Sequence, residues 1–437
     1  MNSRFLHILL CAVGIVLASC SSGDSGIVEP DGTAITFDAA TVPITRAEGD
    51  YNSVEDLRED PLKSGIGIFA SYTGPRRYAS STVRPNFMCN QRATWDDGAS
   101  YWTYSPLKYW PNGQGEATEQ GQGEVTHKVS FFAYAPWSDL VTTSTTQNQP
   151  ANCITRCSET YDEGDPWLYY RIAGTPDSDP TSQQVDLLYA VCDYDYYGTD
   201  GGLCNIDLIK PEVSKRVKFI FHHALGCVGD RVTITVSSDL RTTMDKYVKD
   251  RLYDKVELVI LGVDIDYILT AGAKLTLWNR KDAPNWQADT EHNVKTTRHV
   301  TLMEEVIEST EGQGSYAVKQ STGDPEVVRE SWVNTGNGVF YIPVEGDDYV
   351  QSATINVNYC MRYYFGETPI DMPAEHGSAT IYMRDKIPTS EAHGRNLWIN
   401  VLINAEGQVM ASFELMAHTA FTPWDDGNKG DYEVYNW

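Results

Sequence analysis

The sequence predicts an all-β protein built from two β-sandwich domains, and three observations carry that prediction. Apolar segments of strand-like composition recur from residue 65 onward, turn-rich stretches separate them, and amphipathic helices do not alternate with them. Strands that lack crossover helices pack as sandwiches rather than as βαβ units. The 26 Tyr and 11 Trp, together with Thr and Val, are residue types that pleated, half-buried surfaces favour. At 437 residues, 41% of them apolar, the chain is long enough and apolar enough for more than one core.

The N-terminus, "MNSRFLHILLCAVGIVLASC", has one early cation, Arg4, and then an apolar run from Phe5 to Leu17. That run has the length of a signal-peptide core and is too short to span a bilayer as a helix. Leu17-Ala18-Ser19-Cys20 resembles a lipobox, which assigns residues 1–19 to a lipoprotein signal peptide and makes Cys20 the lipidated residue. Two or three acyl chains anchor stably, since each buried methylene contributes about 0.8 kcal/mol. Residues 21–33, "SSGDSGIVEPDGT", are small, polar and acidic and read as a tether. Ile35, Phe37 and Ala39 then alternate with Thr36, Asp38 and Ala40, the period of a strand, which Pro43 restricts to an edge or an end. Arg46 follows, the only Lys or Arg after Arg4 up to that point, and the acidic "AEGDYNSVEDLRED" comes next.

Further strands are expected in "GIGIFASY" (65–72), "KVSFFAYAP" (128–136), "VDLLYAVCDYDY" (185–196), "RVKFIFHHALGCVGDRVTITVSS" (216–238) and "KVELVILGVDID" (255–266). A helix is expected over 239–252, against the pull of Thr242 and Thr243. A second block begins near residue 296, after the polar "WQADTEHNVKTTR" (286–298). It holds strand-like runs at 338–344, 352–365, 377–386 and 396–404. The expected division is therefore 20–46 for the tether and first strand, 47–295 for one sandwich and 296–437 for the other; no clean internal repeat is visible.

A net charge of −26 argues against a nucleic-acid partner, which needs a basic footprint. Of nine cysteines, Cys11 leaves with the signal and Cys20 takes lipid, so an odd number remains. Cys153/Cys157 and Cys192/Cys204 are close enough in sequence to pair. His222 and His223 sit next to Cys227, but neighbours on a strand face opposite ways, so they read as core positions rather than one metal site. Asp193, Asp195, Gly198 and Asp200 imitate a calcium loop, yet Tyr197 and Cys204 occupy ligand positions. No G-x-S-x-G, H-E-x-x-H or P-loop pattern occurs, so neither an enzyme nor a cofactor is expected. The clusters Trp95/Trp102/Trp110 and Tyr194/Tyr196/Tyr197 read first as packing and alternatively as sugar-stacking platforms of a monomeric glycan-binding lipoprotein.

Several stretches, in this order, resemble the fimbrillin family, lipoprotein subunits of outer-membrane fimbriae in Bacteroidales-type bacteria. They are "WTYSPLKYWP" (102–111), "VSFFAYAP" (129–136), "DLLYA" (186–190), "FHHALGCV" (221–228), "YIPV" (341–344), "TINVNY" (354–359), "LWINVLIN" (397–404) and "TPWDDG" (422–427). The resemblance implies two transthyretin-like sandwiches, transport to the cell surface on lipidated Cys20, and cleavage between Arg46 and Ala47. Loss of the first strand would leave a groove for a strand of another fimbrial subunit, and a host or bacterial surface ligand would be the adhesive target. The tail after Trp424 is short for a donor strand. Either the donor includes 410–423, or the chain accepts a strand without donating one, as a tip or accessory subunit would.

Overall fold

The computed structural model describes residues 33–41, 65–111, 127–140, 154–171, 186–190, 205–211, 216–270, 272–278, 284–288, 293–300, 304–310, 331–334, 339–344, 351–383, 392–394 and 396–415. In chain order the strands are β1 (Phe37–Thr41), β2 (Ile66–Gly74), β3 (Met88–Asp96), β4 (Tyr101–Thr103), β5 (Lys128–Ala135), β6 (Ile154–Cys157), β7 (Trp167–Arg171), β8 (Leu188–Ala190), β9 (Val217–His223) and β10 (Gly226–Val236). Helix α1 (Ser238–Lys249) follows. Then come β11 (Lys255–Thr270), β12 (Gly272–Thr276), β13 (Asn285–Ala288), β14 (Asn293–Val300), β15 (Glu305–Ser309), β16 (Ser331–Asn334) and β17 (Val339–Tyr341). The last are β18 (Ser352–Phe365), β19 (Thr368–Asp371), β20 (Glu375–Tyr382), β21 (Asn396–Ile403) and β22 (Val409–Leu415).

The N-terminal strands form a sheet that closes on itself in the order β1-β4-β3-β2-β5-β8-β9. Strand β5 shows why its sequence is a continuous apolar run. Val129, Phe131, Ala133 and Ala135 fill the inside of this ring, with Phe37, Trp102 and Phe219. Phe132 and Tyr134 point the other way, into a core shared with Leu168 and Tyr170 of the β13-β12-β7-β6 sheet. A strand buried on both faces needs no polar alternation.

The remaining strands make the β-sandwich that the sequence predicts. One sheet runs β16-β10-β21-β22, with β17 also on β10; the other runs β14-β11-β18-β19, with β15 on β11 and β20 on β18. Val232, Ile234, Ile399 and Val401 of the first share a core with Leu258, Ile265, Ile355 and Val357 of the second. Strands β10 and β11, which precede residue 296, thus hydrogen-bond to strands beyond it, and β14 runs through that position on β11. The polar stretch 286–298 lies largely within strands β13 and β14. Its polarity suits β14, which among the described strands pairs with β11 alone and lies at the end of its sheet, with Lys295 and Thr297 exposed.

Helix α1 forms where expected. Ser237 caps it by accepting a hydrogen bond from the Leu240 N–H, and Leu240 and Met244 are its buried face. Thr242 and Thr243 fit because each hydroxyl donates to the carbonyl four residues back, Ser238 and Asp239. No helix among the described residues is long and apolar enough to cross a membrane.

Gly229 sets how closely the two sheets of the sandwich meet. Its φ is +76°, and a Cβ there would lie 2.0 Å from the Tyr267 hydroxyl of β11. It also sits where the pairing of β10 with β21 shifts register, between Val228 and Val232. Gly229→Ala therefore meets both backbone strain and a steric clash. A loss of about 2–4 kcal/mol is expected in the urea unfolding of this sandwich, and an unchanged midpoint would show that β10 adjusts freely.

Candidate strand-binding groove

Strand β1 is the element that closes the N-terminal ring. It pairs in parallel with β9, Phe37 with Val217 through Thr41 with Phe221, and antiparallel with β4 through Phe37 and Trp102. Just upstream, Ile35 N–H donates to the Lys108 carbonyl at 2.9 Å, Trp110 N–H donates to the Thr33 carbonyl at 3.1 Å, and Val217 N–H donates to the Thr36 carbonyl at 2.9 Å. The segment is held along both edges, so it is an internal strand. The sequence understates it: five residues with Pro43 beyond them look like an edge piece, whereas β1 ends at Thr41, before the proline, and lies between two partners.

Its side chains are core. Ile35 and Phe37 are fully buried, and Ala39 packs against the same cluster. The Phe37 ring stacks on Phe219 of β9 with centroids 5.5 Å apart, and meets Tyr104 at 5.6 Å and Phe131 of β5 at 5.9 Å. Trp110 lies edge-on to Phe131 at 5.8 Å. Burial pushes the Tyr104 hydroxyl well above its ordinary pKa, which keeps this wall neutral. Fully burying two such side chains contributes roughly 3–6 kcal/mol gross, an upper figure.

At the rim, Arg216 Nη1 donates to Asp38 Oδ1 at 3.1 Å and to the Ser100 carbonyl at 3.2 Å, while its guanidinium lies 4.8 Å from the Tyr101 ring centroid. Both partners of the ion pair are substantially exposed, so the pair fixes register more than it adds stability. Burial lowers the pKa of Lys218, and Asp38 pushes it back up.

Chemically, the arrangement is a strand slot. Without β1, the path β4-β3-β2-β5-β8-β9 would be open, with β4 and β9 as its edges. Unpaired backbone groups would line those edges, with Phe219, Phe131 and Tyr104 uncovered between them, the features that template another strand.

The other sequence-predicted sites divide into two groups. Cys20, Arg46, Ala47, Cys153, Cys192, Cys204, the imitation calcium loop and Tyr194/Tyr196/Tyr197 lie outside the described residues. Among those described, Trp102 and Trp110 are fully buried, and Trp95 packs on Trp102 at 5.8 Å across the β3–β4 pair. These indoles are packing, and none of the two buried rings can stack on a sugar. His222 and His223 are buried core residues, and His223 Nδ1 lies 2.5 Å from Asp186 Oδ2. The sequence left Asp186 unremarked, although its position two residues before β8, inside an apolar run, was a usable signal. No group of three or more His, Cys, Asp or Glu among the described residues is placed to hold a metal. Cys157 is a free thiol, as is Cys89; its expected partner Cys153 lies outside the described residues.

This architecture is shared with a solved protein of known class. A fimbrial protein from Bacteroides vulgatus matches it with a TM-score of 0.52 at 17% sequence identity, over 87% of this chain and 98% of that one. Looser likenesses are a protein ascribed to cell adhesion from Bacteroides ovatus, with a TM-score of 0.34 at 9% identity over 87% of this chain and 96% of that one, and an adhesin-type protein from the same species, at 0.35 and 7% over 88% and 96%. No family model and no curated protein matches the sequence.

Proposed function

We propose that the chain is a non-enzymatic subunit of a surface fimbria that serves cell adhesion. In this reading residues 1–19 direct export, Cys20 carries the lipid that tethers the chain to the outer membrane, and cleavage between Arg46 and Ala47 frees β1. The vacated slot between β4 and β9 then accepts a strand from another subunit. The observation that carries the proposal is the ring closure: the segment just before Arg46 is the one strand that joins β4 to β9. The fold shared with a fimbrial protein supports the same class of role. The ring is the accepting unit, and the sandwich built from β10, β11 and β14 to β22 is the second domain.

In this reading any donated strand comes from beyond residue 415. Strand β22 pairs with β21 from Val409–Ile403 to Leu415–Leu397, so 410–415 already belong to this chain's own sheet. Residues 416–437 are then the donor, or the subunit accepts without donating.

The test is Arg46→Ala in the full chain. Export and lipidation should persist, the N-terminus should stay at Cys20 rather than move to Ala47, and heat-sensitive high-mass ladders should disappear. Fibres of normal length from this variant would overturn the cleavage step.

A further inference from the structure

We propose that Cys89 and Cys157 form a disulfide once the chain meets a thiol-oxidising compartment, clasping the ring to the neighbouring β6–β7 sheet. Cys89 lies on β3 and Cys157 ends β6, far apart in sequence and on different sheets. Both thiols nonetheless converge on one atom. Cys89 Sγ donates to the Ser158 carbonyl at 3.3 Å, and Cys157 Sγ donates to the same oxygen at 3.4 Å. Two sulfurs that share one acceptor lie near each other, and both residues pack against the same apolar core; the bridge then requires the two side chains to rotate toward each other with their backbones at bridging distance. Cys153 is nearer to Cys157 in sequence, so spacing alone points to a different partner from the one this geometry favours.

Burial and the nearby carboxylates Glu159 and Asp162 raise the pKa of both thiols, that of Cys157 to about 12. Both are therefore protonated at neutral pH, and oxidation proceeds by exchange with a disulfide oxidant rather than quickly in air. The half-exposed Cys89 loses its proton and attacks the oxidant's disulfide, releasing one thiol and leaving a mixed disulfide. The Cys157 thiolate then attacks the Cys89 sulfur and expels the second thiol. Two protons and two electrons pass to the oxidant, and one S–S bond forms.

The bond would cross-link the segment that contains β4 and β5 and restrict the unfolded chain. It would also hold β3, which carries β4, in place while the slot beside β4 stands empty. The setting rests on the export reading above; the pairing does not.

The experiment is non-reducing peptide mapping of the full chain, with free thiols alkylated before digestion. Protein made under reducing conditions is mapped before and after oxidised glutathione, and protein extracted from the cell surface is mapped directly. A Cys89 peptide joined to a Cys157 peptide after glutathione is the expected result. A thermal midpoint that drops by a few degrees on reduction, and no longer does so in Cys89→Ala, should accompany it. Complete alkylation of both residues after glutathione, or Cys157 joined to Cys153, would overturn the pairing. Joining by glutathione with full alkylation in the surface extract would uphold the pairing and count against export.

Discussion

Phe37→Ala is expected to destabilise the uncleaved chain by about 3–5 kcal/mol, the usual cost of emptying a buried aromatic site, and to leave cleaved, assembled polymer unchanged. The asymmetry follows from where the ring sits. Phe37 is fully buried against Phe219, Tyr104 and Phe131, so its loss opens a cavity at the centre of the closed ring. If β1 departs at maturation, that cavity departs with it. Phe219→Ala, on β9, removes the floor common to the native strand and to any replacement, and should weaken both forms. Urea unfolding followed by tryptophan fluorescence suits the uncleaved chain, because Trp102 pairs directly with Phe37. Heating the ladders in detergent reads the assembled form. Polymer as fragile with Phe37→Ala as with Phe219→Ala would mean that β1 stays in place, and strand exchange at this slot would fail.

What the sequence made legible tracks how strongly one physical signal dominates locally. The apolar runs 128–136 and 255–266 and the alternating run 352–365 became strands nearly as expected, the first two buried along most of their length and the third alternating buried with part-exposed positions. The helix expected over 239–252 forms at 238–249, and its cap at Ser237 and its buried Leu240 and Met244 show what holds it there. Partner choice was not readable. Whether β10 and β11 join the strands before or after residue 296 depends on long-range pairing, which no local pattern encodes. Short strands such as β4 and β6 carry too few residues for a period to register. The slot was half legible: the alternation of Ile35, Phe37 and Ala39 announced a strand, but its rank as an internal, ring-closing one comes from parallel pairing with residues about 180 positions later in the chain. The gross apolar stabilisation of the β1 segment rests chiefly on Ile35 and Phe37.

Acid should weaken the fold through His222. Burial first, and then the neighbouring His393 and His223, push its pKa down to about 3. In the unfolded chain the imidazole titrates near its ordinary value of about 6.5. Between those limits the unfolded chain binds a proton that the native chain does not, so stability falls as pH drops, by up to about 1.4 kcal/mol per pH unit. Above pH 6.5 both states are neutral at this residue and its contribution is flat; below about 3 both are charged and the loss levels off. His222→Phe keeps an aromatic ring beside Tyr189, whose centroid lies 6.1 Å from that of His222, and removes the titration. The expected result is a shallower dependence of the urea midpoint on pH between about 6 and 4, whatever the variant's stability at neutral pH. The Asp186–His223 pair is present in both chains, and because charged His222 and His223 repel each other, the change in slope includes that mutual coupling. Identical slopes would place the acid sensitivity in that pair or elsewhere, and would mean that His222 gains its proton within the folded core.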